Sequence, residues 1–247
     1  MSETVRLKIK RQNRPNQAPY WEEFEIPMKP AMNVISCLME IGREPRTFDG
    51  RKTTPIAWEM SCLEEVCGIC TMVINGQARQ ACSTLIEKTG FEVTVEPMRK
   101  FPVVRDLVVD RTFLFETLKR AKAWVPIDGT HALGSGPRIF PEDQQKNYVL
   151  STCFSCGCCL DVCPQVNERS DFVGAMSISQ VALFNAHPSG KSIAKERLKS
   201  LMGPGGIEDC GNSQNCVKAC PKQIPLVQSI AEVNRQITQN IFELLKK

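Results

Sequence analysis

Eleven of the thirteen cysteines in this 247-residue chain fall into spacings that can gather thiolates around iron. The first set, Cys62, Cys67, Cys70 and Cys82, opens with a C-x4-C-x2-C run and takes its fourth cysteine downstream. These first spacings match the plant-type arrangement for a 2Fe-2S cluster. A loop around such a cluster must bring several sulfurs to one place and turn backbone N–H groups towards its sulfides. Gly68 offers a position without a Cβ, where the backbone can approach closely. A structural zinc site is the alternative for four cysteines. Zinc prefers two short C-x2-C pairs, and only Cys67 and Cys70 make one, so the spacing favours the cluster.

The second constellation, Cys153-x2-Cys156-x2-Cys159-x3-Cys163-Pro164, is the bacterial ferredoxin run, in which three cysteines hold one cluster and the fourth reaches another. Its partner segment is Cys210-x5-Cys216-x3-Cys220-Pro221, with Ser213 where a second cysteine would stand. Counting ligands by the crossover rule gives Cys153, Cys156, Cys159 and Cys220 to a 4Fe-4S cluster. Cys163, Cys210 and Cys216 are left for a second cubane that lacks a corner thiolate, a set suited to 3Fe-4S. A 4Fe cluster ligated by the Ser213 alkoxide is the alternative there, although an unactivated hydroxyl is a poor iron ligand. Cys37 and Cys158 stand outside both frames and read as small buried hydrophobes.

Other chemistry is sparse. His131 and His187 are the only histidines and read as loop or capping residues. Gly134-Ser-Gly136-Pro137 resembles a phosphate loop superficially, but Pro137 and the lack of a preceding strand argue for a plain turn. No nucleophile and base pair stands out, so three one-electron centres without a substrate site describe a relay.

The elements that must position these residues change character along the chain. Val5, Leu7 and Ile9 alternate with polar residues, as do Phe24 and Ile26, and Phe91, Val93 and Val95, which predicts half-buried strands. Thr71–Ile74 runs into Asn75-Gly76 and out through 77–82, a hairpin whose open ends carry Cys70 and Cys82. From Val103 onward the period is helical: Leu114, Leu118 and Ala121 share a face, as do Val181 and Phe184, and Ile230, Val233, Ile237, Ile241 and Leu244. Pro126, Gly134–Pro137, His187–Gly190 and Gly203–Gly206 mark loops. Pro97 and Pro102 place a domain boundary near residue 105, dividing the chain into 1–105 and 106–247.

Composition closes off other classes. Hydrophobic residues make up 42% and charged residues 23%, which supports a buried core and excludes disorder and collagen or coiled-coil repeats. The formal net charge of +4 is spread out, with no Lys/Arg block that reads as a nucleic-acid arm. No apolar run approaches a membrane span, and Met1–Lys10 has no secretory or transit character, so a soluble intracellular chain is expected. Thirteen thiols in a reducing compartment point to metal rather than disulfides.

The order of a plant-type set, then C-x2-C-x2-C-x3-C-P, then C-x5-C-x3-C-P resembles the iron-sulfur subunit of succinate dehydrogenase and of its relative, quinol:fumarate reductase. The likeness covers nearly the whole chain, and Arg105-Asp-Leu-Val-Val109 and Cys220-Pro-Lys222 fit it too. It implies an α+β fold with an N-terminal β-grasp domain of the plant-type ferredoxin kind, followed by an all-α ferredoxin-like domain carrying the two cubane-type clusters. It also implies a place between a flavoprotein subunit with FAD and a membrane-anchor cytochrome b, at the cytoplasmic face of a bacterial membrane. Electrons from succinate would pass by way of FAD and the 2Fe-2S, 4Fe-4S and 3Fe-4S sets to a quinone. Pro164 is followed by Gln165-Val-Asn-Glu168 rather than the Trp-containing stretch of ubiquinone-linked members. The resemblance is therefore to the menaquinone-linked branch with a haem b anchor, and it names no quinone-site residue. Fumarate reductase running the reverse reaction is the second reading, and a zinc-bound structural module the reading from another class.

Overall fold

A computed structural model describes residues 4–125 and 137–245, with the side chains of 243–245 excluded. Backbone contacts divide the chain into two units: 1–111 together with 154–161, and 112–153 together with 162–247.

The first unit is built on a mixed five-stranded sheet of order β2-β1-β5-β3-β4, formed by β1 (Thr4–Arg11), β2 (Tyr20–Pro27), β3 (Thr71–Ile74), β4 (Gln77–Gln80) and β5 (Glu92–Glu96). The alternation in β1 is why it forms: Val5, Leu7 and Ile9 are fully buried, facing Ile26, Phe24 and Glu22 across the antiparallel pair with β2. β5 joins β1 in parallel, setting Leu7 opposite Val93 and Ile9 opposite Val95. Phe91, expected in that stripe, stands one residue before β5 and is exposed. The sheet packs on α1 (Val34–Arg43), whose Val34, Ile35, Cys37, Leu38 and Ile41 enter the core at helical spacing. Asn33 caps this helix by accepting from the Ser36 N–H at 2.9 Å. A short helix, α2 (Ile86–Thr89), precedes β5.

Asn75 and Gly76 both take positive φ, 47° and 78°, the geometry of the tight hairpin expected between β3 and β4. The stretch from Val103, expected to be helical, is instead a second small hairpin of β6 (Val103–Arg105) and β7 (Val108–Val109). Its turn residue Asp106 is fully buried and accepts from Arg11 Nε at 2.9 Å and from the Ala57 N–H at 2.8 Å. Those bonds hold 103–109 in the first unit, so the division falls after Arg111 rather than at 105. The short helix α5 (Cys158–Asp161) also belongs to this unit, because Asp161 Oδ1 accepts the N–H groups of Arg99 and Lys100 at 2.5 and 3.1 Å.

The second unit is helical: α3 (Thr112–Arg120), α4 (Pro141–Ser151), α6 (Gly174–Ala186), α7 (Ala194–Ser200), α8 (Asn215–Ala219) and α9 (Leu226–Leu245). α6 is apolar around most of its circumference and lies central, against α3, α4, α7 and α9. α9 contributes Val233 and Ile237 to the core, with Ile230 half-buried, but Ile241 is exposed; the Leu244 side chain lies outside the described residues. Arg197 is fully buried, and carbonyls satisfy it: its nitrogens reach the backbone oxygens of Lys122, Trp124 and Gly190 at 2.6–3.0 Å and Asn185 Oδ1 at 3.0 Å. Among the described residues no helix is long and apolar enough to cross a membrane. Pro126, His131 and Gly134–Gly136 lie outside the described residues, so the loops and the phosphate-loop look-alike expected there have no structural counterpart to report.

Candidate iron-sulfur sites

Cys62, Cys67, Cys70 and Cys82 are neighbours in the first unit, and each is placed by a different local device. Cys70 stands at the mouth of the hairpin just before β3 and Cys82 just after β4, clasped by the Ala81 N–H donating to the Cys70 carbonyl at 3.1 Å. Asn33 Nδ2 donates to the Cys82 carbonyl at 2.9 Å, tying the start of α1 to the same place. Between Cys62 and Cys67, Leu63 and Glu65 are left-handed, with φ of 61° and 55°. This alternation aims successive backbone N–H groups to one side, as in an anion-binding nest. Glu64 and Val66 N–H donate to Cys62 Sγ at 3.4 and 3.5 Å. Gly68, with φ +72°, lies against Phe154 and Cys156 and has no room for a side chain.

The electrostatics of these thiols follow from the same contacts. The two N–H donors, joined by Cys67, bring the Cys62 thiol down to about 7. Burial raises Cys82 to about 11, and a hydrogen bond with Cys70 adds to the rise. Pairwise contacts link the four thiols and two N–H groups turn to the Cys62 sulfur, a donor set that fits a 2Fe-2S cluster.

In the second unit, Cys163, Cys210, Ser213 and Cys216 line one hollow, beside α6 and α9, with Gln165 and Phe172. Burial raises the Cys216 thiol, and Cys163 and Cys210 raise it further as neighbouring thiols. Asn212 and Gln214 are left-handed on either side of Ser213, at φ 50° and 60°. Three thiols and one hydroxyl around a hollow are a donor set fitted to a cubane with three cysteine ligands. For the remaining set, Cys156 and Cys159 stand in the first unit, and Cys153 and Cys220 in the second, where Cys220 Sγ accepts the Ile224 N–H at 3.4 Å. Among the described residues no three His, Cys, Asp or Glu side chains are drawn tightly enough to hold a single ion.

Cys37 is buried in the core, and burial raises its thiol to about 12. Cys158 is also fully buried but is more than a small hydrophobe: Gln80 Nε2 donates to its sulfur at 3.5 Å, and it shares a hydrogen bond with the Cys156 thiol. That bond lowers Cys156 and raises Cys158. His187 caps the end of α6 through its own N–H, as a plain capping residue would. Arg111 was not legible as a site residue, since a lone arginine ahead of a helix carries no sequence signal. Its Nη2 donates to the Ile69 carbonyl at 2.7 Å, inside the Cys67–Cys70 turn.

Comparison with known proteins agrees with this geometry. Residues 6–116 match the family described as a 2Fe-2S iron-sulfur cluster binding domain, and residues 149–224 match the 4Fe-4S dicluster domain. The zinc reading of the first set gives way to that match. The chain is 55% identical to the succinate dehydrogenase iron-sulfur subunit of Bacillus subtilis (strain 168), over 97% of this chain and 94% of that protein. It is 30% identical to the fumarate reductase iron-sulfur subunit of Wolinella succinogenes, over 89% of this chain and 90% of the relative. In fold it is similar to a chain of the Mycobacterium smegmatis Sdh1 complex, with a TM-score of 0.78, 22% identity and 98% of each chain covered. With a plant-type thiol set on a mixed sheet, a dicluster segment after it and relatives matched nearly end to end, the chain belongs to the family of succinate dehydrogenase and fumarate reductase iron-sulfur subunits.

Proposed function

We propose that this chain is the electron-transfer subunit of a succinate dehydrogenase, working between a flavoprotein with FAD and a membrane anchor where a quinone is reduced. The observation that carries the reading is the convergence of Cys62, Cys67, Cys70 and Cys82, with two N–H groups on Cys62, in a chain 55% identical to a succinate dehydrogenase iron-sulfur subunit. That relative favours succinate oxidation over the fumarate reductase reading, for which the Wolinella succinogenes relative stands at 30% identity.

The ligand assignment proposed is Cys62, Cys67, Cys70 and Cys82 for 2Fe-2S; Cys153, Cys156, Cys159 and Cys220 for 4Fe-4S; and Cys163, Cys210 and Cys216 for 3Fe-4S. Bound there, the clusters supply one-electron redox chemistry that no side chain offers. The chain's own part is to hold thiolates ready. The Glu64 and Val66 N–H groups stabilise the Cys62 anion, Asn33 and the β3–β4 hairpin fix Cys82 and Cys70, and Gly68 lets the turn pack on Cys156. Ser213 sets a hydroxyl on the wall where a fourth thiolate would complete a cubane.

The sheet order and its α1 packing support a β-grasp first domain, and the helical second unit an all-α ferredoxin-like domain. In place of 1–105 and 106–247 the working division is at Arg111, with 154–161 returned to the first domain. The anchor is taken to be a haem b cytochrome at the cytoplasmic membrane face, and the quinone to be menaquinone, the latter supported by Gln165-Val-Asn-Glu168 after Pro164.

Purification of the native complex from detergent-solubilised membranes tests the reading. Co-purification of a flavoprotein and an anchor, succinate-dependent quinone reduction and about nine irons on this chain, two plus four plus three, are expected. Two or four irons in intact material, or no succinate activity, would overturn it.

A further inference from the structure

Arg111 ends the first unit, and the ligand assignment leaves its role open. Its side chain is 14% exposed, and its three nitrogens meet different fates. Nη2 donates to the Ile69 carbonyl at 2.7 Å, with the Thr71 carbonyl at 3.5 Å, so the guanidinium lies alongside Cys70. Nε and Nη1 are buried and have no hydrogen-bond acceptor. Glu59 Oε2, the partner in its ion pair, stands 3.7 Å from Nη1, beyond hydrogen-bond reach.

Orphaned donors on a buried cation are costly unless further negative charge faces them. Arg11 and Arg197, both fully buried, show the usual solution, with all three nitrogens on oxygen acceptors. Besides Glu59, the groups near enough to act on Arg111 electrostatically, once ionised, are the thiols of Cys70, Cys156 and Cys67. Two belong to the plant-type set, and the third to the ferredoxin run.

We propose that Arg111 is a positioning residue for electrons: its fixed charge and two unsatisfied nitrogens, anchored at Ile69 beside Cys70, ease reduction of the group held at Cys67 and Cys70. Reduction adds a negative charge, so a neighbouring cation and N–H···S bonds raise the potential. Arginine suits the task better than lysine, because one nitrogen can lock the plane on Ile69 while the others remain free. The inference rests on the cluster assignment proposed above.

The test is an EPR-monitored redox titration of the cluster-loaded complex carrying Arg111→Met, Arg111→Lys or Glu59→Gln, with iron and sulfide measured in each. With clusters retained, Arg111→Met should make reduction of the 2Fe-2S centre about tenfold less favourable, a downward shift of about 59 mV for one electron. Arg111→Lys should keep most of the wild-type potential, and Glu59→Gln should raise it. The centre assigned to Cys163, Cys210 and Cys216 should stay put in all three. An unmoved midpoint in a fully loaded Arg111→Met, or a fall in Arg111→Lys as large as in Arg111→Met, would overturn the inference. Should Arg111→Met fail to load, Glu59→Gln decides, an upward shift supporting the role and an unmoved midpoint refuting it. A wild type without any reduced 2Fe-2S signal would instead remove the assignment, and the inference with it.

Discussion

Gly68 and Cys156 are in backbone contact: a Cβ on the glycine would stand 2.8 Å from the Cys156 Cα and 2.9 Å from its Cβ. Real Cβ atoms do not approach so closely, so the turn of the plant-type set and the middle of the ferredoxin run are spaced by the absence of one methyl group.

Gly68→Ala should therefore cost more than backbone strain. Gly50, at φ +82° with open space around it, isolates the strain alone. Gly50→Ala is expected to lose about 1 kcal/mol and Gly68→Ala about 2 kcal/mol more, with a visible drop in 2Fe-2S occupancy. Denaturant unfolding beside EPR quantitation of the cluster checks both; equal losses in the two variants would refute the close-approach argument.

Asp106 and Arg11 form a fully buried ion pair, shared with Glu22 at 2.5 Å from Arg11 Nη1. Asp106→Ala strands part of a guanidinium and two backbone N–H groups, those of Gln12 and Ala57. A loss of about 3–5 kcal/mol is expected in chemical denaturation, against under about 1 kcal/mol for breaking the exposed Lys8–Glu23 pair with Lys8→Ala.

Ser213→Cys should let the hollow shared by Cys163, Cys210 and Cys216 take a fourth iron. On the proposed ligand assignment, the 3Fe-4S EPR signal of the oxidised complex should fade and a reduced 4Fe-4S signal appear, at lower potential, slowing quinone reduction while flavin reduction by succinate continues. An unaltered spectrum would mean that Ser213 does not face the open corner.

Cys37 supplies a pH dependence whose sign is set by its core position. Its folded value of about 12 lies above that of an unfolded thiol, about 8.5, so between the two the unfolded chain loses the proton and the native chain keeps it. Stability from this group is intact below about pH 8.5 and falls by about 1.4 kcal/mol per pH unit above it, until the folded value is passed. Cys37→Val removes the titration, so wild type should lose stability relative to it as pH rises from 9 to 10.5. Parallel curves would show that the thiol is not held neutral.

Much of this was legible in residue order, because local patterns carried it. The burial of Val5, Leu7 and Ile9, the Asn75-Gly76 turn and the placing of Cys70 and Cys82 at the hairpin mouth depend on neighbours in sequence. What escaped depended on distant partners. Val103–Val109 reads as the approach to a helix, yet forms a hairpin because Asp106 must reach Arg11 and Ala57, and α5 joins the first unit because Asp161 caps two N–H groups far back in the chain. Cys158 looked like a filler residue, and only the fold brings it to Gln80; Arg111 has no pattern at all until Ile69 is seen beside it.

The return of residues 154–161 to the first unit also bears on how the protein is made. A ribosome releases Cys62 to Cys82 early, but the segment that closes on Gly68, Gln80 and Arg99 follows only after α3 and α4 have emerged. For that interval the nascent chain offers a plant-type thiol loop with one wall missing. Cluster delivery during synthesis would meet the loop before Gly68 has packed on Cys156, whereas delivery after release would meet it already packed. A stalled chain ending before Phe154 should therefore lose its iron far faster than the finished protein.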